Sequence, residues 1–158
     1  MIGILIIAHG TLGESLIDCA SHVMGGKPAF LSCLAVETQD DPASLINKAQ
    51  SIIPGLDQGD GVLVLSDMYG ATPCNVVTKL IKPNMVEGVA GVNLPMLVRT
   101  LTYRDVTLTE LVEKALSGGR DGVVHFTAQG CEFSGKLAAA MQTEHKQTAP
   151  QLKGAKHG

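Results

Sequence analysis

Tryptophan is absent from this 158-residue sequence, and two Tyr and three Phe are its only aromatic side chains. So few rings exclude a base-stacking platform of the kind that holds single-stranded nucleic acid. They also leave Leu, Ile, Val, Ala and Met to build the core. Cysteine is sparse: Cys19, Cys33, Cys74 and Cys131 lie far apart and form no C-x-x-C pair. With no secretion signal, the expectation is reduced thiols in the cytoplasm and no cysteine metal site. A basic excess is missing too. The formal charge of −3 argues against a nucleic-acid partner and gives no affinity for anionic membranes. The opening run MIGILIIA is apolar, but it has no basic residues before it and is too short to span a bilayer. Neither G-x-G-x-x-G nor G-x-x-x-x-G-K-[ST] occurs, so no nucleotide fingerprint calls for a cofactor.

What is present is the composition of a folded domain, 45% hydrophobic and 17% charged, and long enough to bury a core without staples. Residues 2–8 are continuously apolar, as a strand buried on both faces must be. Residues 13–24 carry Leu16, Ile17, Ala20, Val23 and Met24 at helical spacing, stopped by Gly25-Gly26. A second strand is predicted over 30–36. Asp40 or Asp41 then caps a helix with Pro42 in its first turn. Residues 61–66, GVLVLS, form a third buried strand. Thr72-Pro73 reads as an N-cap followed by proline, opening a helix to about residue 81. A fourth strand over 86–92, a short helix over 95–101, a helix over 108–116 closed by Gly118-Gly119, and a last strand over 121–127 complete the pattern. Such alternation predicts an α/β fold, a doubly wound and mainly parallel sheet flanked by helices. Residues 142–158 are polar and predict a flexible tail, with one helical turn over 136–141.

Ligands of open parallel sheets bind beyond the carboxyl ends of the strands. Two segments arrive there: Ala8-His9-Gly10-Thr11-Leu12-Gly13 after the first strand, and Ser66-Asp67-Met68-Tyr69-Gly70-Ala71-Thr72-Pro73 after the third. If these strands are neighbours, His9 faces Asp67. A neutral imidazole is nucleophilic at one nitrogen only while the other holds the proton, and a carboxylate fixes that tautomer. A phosphoryl group on His9 would find donors at the helix starts after Gly10 and at Thr72, and in the Thr11 and Thr72 hydroxyls. Gly10 and Gly70 let backbone approach closely. The bland alternative is a histidine satisfied by a loop carbonyl and an aspartate serving a turn. Tyr69 is either a partner contact or a cover for its loop. Cys74 reads as a small buried hydrophobe, and His22, His125, His145 and His157 as structural or solvated.

Three segments, IGILIIAHGTLGESL, GVLVLSDMYGATPCN and GVAGVNLPMLVRTL, resemble in order and spacing the enzyme IIA domain of the mannose family of the phosphoenolpyruvate-dependent sugar phosphotransferase system, over about residues 1–127. The resemblance implies a phosphocarrier domain over residues 1–130 and an extension over 131–158. It implies that His9 accepts phosphate from the phosphocarrier HPr and donates it to a separate enzyme IIB protein, for sugar uptake or its regulation. Asp67 takes the family's orienting aspartate position; Gly10, Thr11, Gly70 and Thr72 are the expected phosphate-binding residues. Thr72 stands where serine is commoner. The family also implies no metal or other cofactor, a homodimer exchanging an antiparallel edge strand (residues 121–127 here), and a membrane link only through a IIC/IID permease. Two other readings remain: the related phosphotransfer subunit of a dihydroxyacetone kinase, and a non-catalytic small-molecule-binding or scaffold protein with His9 inert.

Overall fold

The apolar run at the start forms β1 (Gly3–His9), and every residue from Gly3 to Ala8 is buried. Alternation sends Ile4, Ile6 and Ala8 to one face of the sheet, and Leu5 and Ile7 to the other. A strand buried on both faces needs helices on both, and the chain supplies them. The computed structural model describes residues 1–129. Along it run β1, α1 (Leu12–Met24), β2 (Leu31–Val36), α2 (Pro42–Leu56), β3 (Val62–Ser66), α3 (Thr72–Leu80), β4 (Val86–Ala90), α4 (Leu94–Thr102) and α5 (Leu108–Asp121). The four strands are parallel in the order β2-β1-β3-β4. Helices α1, α4 and α5 contribute to the apolar cluster on one face, α2 and α3 to that on the other.

The chain runs from β1 outward to β2, then returns to place β3 on the other side of β1. Direction therefore reverses between β1 and β3, which leaves a crevice at their carboxyl ends. The register sets Ile7 opposite Ser66 and His9 opposite Val36, so His9 and the residues after Ser66 reach the same edge.

Three expectations change. Helix α5 does not stop at Gly118-Gly119 but continues to Asp121. Both glycines are buried within it because α4 packs there: a Cβ on Gly118 would lie 3.0 Å from Arg99 Cβ, and one on Gly119 2.7 Å from Met96 Cε. The glycines admit a neighbouring helix instead of ending their own. Extending α5 removes Asp121 from the predicted last strand, and residues 122–126 form no strand in the single chain. That segment follows Met1–Gly122, one compact unit; residues from Val123 belong to a second. Thr72 is not an N-cap: Ala71 holds that position with extended backbone, and Thr72 and Pro73 are the first two helical residues. The tail over 142–158 and the turn over 136–141 lie outside the described residues.

Candidate functional site

His9 is the last residue of β1, and Asp67 is the first residue after β3. Neighbouring parallel strands bring them together across 58 residues of sequence. One carboxylate oxygen, Asp67 Oδ2, accepts the His9 backbone N–H at 3.0 Å and lies 2.7 Å from His9 Nδ1. The other, Oδ1, accepts the Met68 N–H at 2.9 Å. The Asp67 side chain is 11% exposed, while that of His9 is 50% exposed. Burial by itself raises a carboxylate pKa. Here the His9 backbone N–H, the His9 ring and the Met68 N–H outweigh it, and the Asp67 pKa is lowered. Asp67 as an anion only accepts, so Nδ1 is the donor in this contact, and in a neutral ring the lone pair is then on Nε2.

The remaining predicted residues flank this pair. Gly10 adopts φ +53° and donates its N–H to Val36 O, bending the chain off β1 into α1. Thr11 is the N-cap of α1 and exposed, but its side chain makes no capping bond. Gly70, at φ +80°, turns the loop toward α3 with open space where a Cβ would be. Thr72 is exposed at the start of α3. Among the described residues neither threonine hydroxyl is bonded to His9 or Asp67. The helices differ in a telling way. Asn93 caps α4 and Thr107 caps α5 through their side chains, whereas α1, α2 and α3 have no side-chain cap, and α1 and α3 start beside His9. Their first amides are open to an anion.

Tyr69 is 86% exposed and Met68 is also exposed, so neither covers its loop. Cys74 is half-buried. Asn93, which carries no predicted role, accepts the Met96 N–H at 2.9 Å and donates to Gly119 O at 3.1 Å, tying α4 to α5. A cavity of about 290 Å³ lined by Asp60, Asn84, Val106, Thr107, Leu108 and Thr109 lies at the opposite edge of the sheet, away from His9.

This constellation meets a family pattern. A model described as the PTS system fructose IIA component, EIIA-man, matches residues 3–116. The chain belongs to the EIIA-man family. It is therefore a IIA component of the mannose/fructose class of the phosphotransferase system. The PTS system mannose-specific EIIAB component of Escherichia coli (strain K12) is 33% identical over 142 residues, covering 88% of this chain and 44% of the relative. The EIIA-man chain thus spans about half the length of that relative. The PTS system fructose-specific EIIA component of Bacillus subtilis (strain 168) is 26% identical over 121 residues, covering 74% of this chain and 82% of the relative. In fold, the chain is similar to the mannose/sorbose-specific IIA subunit from Enterococcus faecalis, with a TM-score of 0.71 at 23% identity, covering 80% of this chain and 95% of that one. No helix among the described residues is long and apolar enough to cross a membrane.

Proposed function

We propose that this EIIA-man chain is a phosphocarrier in which His9 Nε2 takes a phosphoryl group from phosphorylated HPr and passes it to an enzyme IIB protein. The reading rests on one observation above others, the Asp67 Oδ2 contact to His9 Nδ1. It leaves Nε2 as the nucleophile and supplies a fixed anion to stabilise the imidazolium that forms as the N–P bond does. As that bond forms, the donor's N–P bond breaks, and no proton is lost from Nδ1. Gly10, Thr11, Gly70 and Thr72 lie along the two uncapped helix starts, where backbone amides would receive the phosphoryl oxygens. A half-exposed His9 on an open edge suits exchange between two proteins, which a closed pocket would prevent.

The relatives are named for mannose and for fructose, so the sugar belongs to the membrane partners and not to this site. The homodimer belongs to the same proposal: residues 123–126 expose Val123, Val124 and Phe126, an apolar segment suited to a strand in a second chain. Sedimentation at micromolar concentration should give twice the chain mass; a monomer removes the exchange.

Intact mass after incubation with phosphoenolpyruvate, enzyme I and HPr tests the carrier. Wild type gains one acid-labile phosphate and His9→Ala none. An unmodified wild type with active donors would leave the binding-protein reading in its place, and phosphate transfer to a kinase-bound nucleotide the dihydroxyacetone kinase reading.

A further inference from the structure

Residues 9–15, 37–42, 67–73 and 91–95, the loops and first helical residues at the His9 edge, contain no Lys or Arg. A phosphoryl group there must be held by neutral donors. The resting site contains one that the described interactions leave unused. Ser66, the last residue of β3, is the only polar residue in a strand that otherwise reads VLVL, and it is 1% exposed. Its carbonyl accepts the Val92 N–H, but its hydroxyl makes no hydrogen bond among the described residues. Among those residues the one side-chain nitrogen or oxygen both sealed from the surface and unpartnered is Arg104 Nε. The Ser66 hydroxyl therefore retains the residue's sliver of accessible surface.

Its direction follows from the pleat. Val62 and Val64 pack in the cluster that holds Val76, Val77 and Leu80 of α3, so Ser66, two residues further on, points to the same side. That side, at the carboxyl end of β3, is where α3 begins. Pro73 has no N–H, the Asn75 N–H is bonded to Ala71 O, and the Thr72 and Cys74 amides make no backbone bond. A nearly buried, unpartnered hydroxyl thus sits on the α3 side of the residue that precedes Asp67.

We infer that Ser66 is a phosphoryl-binding residue, its hydroxyl joining the open amides of α3 in holding an oxygen of the group on His9. The inference rests on the carrier reading above. Ser66 keeps its own proton and donates it in a hydrogen bond; the bond made and the bond broken are the two N–P bonds of the transfer. Leaving a hydroxyl unpartnered in the empty site costs stability, because water is replaced by nothing. The cost is returned when the phosphoryl group arrives. A serine present only as a small filler would be matched by alanine in every respect.

The test compares wild type with Ser66→Ala, using phosphoenolpyruvate, enzyme I and HPr as donor system. Two quantities are read on each protein: the lifetime and equilibrium yield of phospho-His9, and the urea midpoint of the unphosphorylated protein. Ser66→Ala should keep or raise the urea midpoint while lowering phospho-His9 yield or lifetime by roughly ten- to a hundredfold, the worth of one hydrogen bond to a charged group. Equal yield and lifetime overturn the inference. So does a loss of yield accompanied by a lower urea midpoint, which would mark the hydroxyl as structural. If wild type itself takes no phosphate, the carrier reading fails first and this one with it.

Discussion

A single oxygen of Asp67 serves both the backbone and the ring of His9, at 3.0 Å from the amide nitrogen and 2.7 Å from Nδ1. The backbone bond pins the carboxylate against the end of β1, and the ring bond then fixes the imidazole to the same point. Orientation of the ring is thus inherited from sheet register, which places the ends of β1 and β3 side by side.

The first prediction is isomeric. Phosphorylated protein should show the Nε2 phosphohistidine in nitrogen-15 and phosphorus NMR. A predominant Nδ1 isomer would mean that Asp67 releases the ring before transfer. Asp67→Ala should reduce the transfer rate by about 10²-fold or more, the scale on which a positioned proton partner acts.

The second concerns pH. The hydrogen bonds from His9 and Met68 lower the Asp67 pKa against its burial. A carboxylate depressed in the folded state adds stability above its unfolded pKa and loses it as pH falls through the folded value. Wild type should therefore exceed Asp67→Asn in urea midpoint near neutrality, and the two should converge below about pH 4. A difference that stays constant through the acid limb would show that the charge of Asp67 contributes nothing.

Glycines at the α4–α5 contact give a third. A Cβ at Gly122 would stand 2.3 Å from Pro95 Cβ, part of a rigid ring, whereas one at Gly119 meets the mobile end of Met96 at 2.7 Å. Gly122→Ala should cost about 1–3 kcal/mol by overpacking. Gly119→Ala should cost less, because Met96 can rotate away and alanine favours a helix. Equal losses in chemical denaturation would contradict the difference in rigidity.

Asn93 supplies a fourth. Asn93→Ala removes the cap on Met96 N–H and the bond to Gly119 O together, at about 2 kcal/mol. Asn93→Asp keeps the cap and loses only the donor, so it should recover roughly half of that loss. Urea unfolding of the two variants separates the contributions.

Arg104 supplies the last. Its guanidinium is buried, donates from Nη1 to Ala29 O at 2.6 Å, and leaves Nε unpartnered; burial lowers its pKa. Arg104→Met, which keeps the stem and removes the buried charge, should be tolerated better than Arg104→Ala, which opens a cavity worth about 2 kcal/mol or more. The reverse order would show that the charge itself holds the Ala29 loop.

Much of this was readable from residue order. Strands β1 and β3 are apolar up to their last residues and require helices on both faces, so alternation alone yields a doubly wound parallel sheet. His9 and Asp67 stand out because each is the first ionisable residue after such a run. Helix ends were harder. Gly118-Gly119 reads as a stop from local preference, but the close approach of α4 reverses the sense of those glycines. Thr72 reads as a cap because the residue before a first-turn proline often is one, yet the loop geometry gave that place to Ala71.

The sequence by itself determined the fold class, which follows from periodicity, and marked His9 and Asp67 as the ionisable residues that end the buried strands. Only the tertiary structure decided which oxygen meets which nitrogen, that α1 and α3 start uncapped, and that the Ser66 hydroxyl has no partner. Those are distances between atoms remote in sequence, set by strand register and helix packing, and no local pattern encodes them.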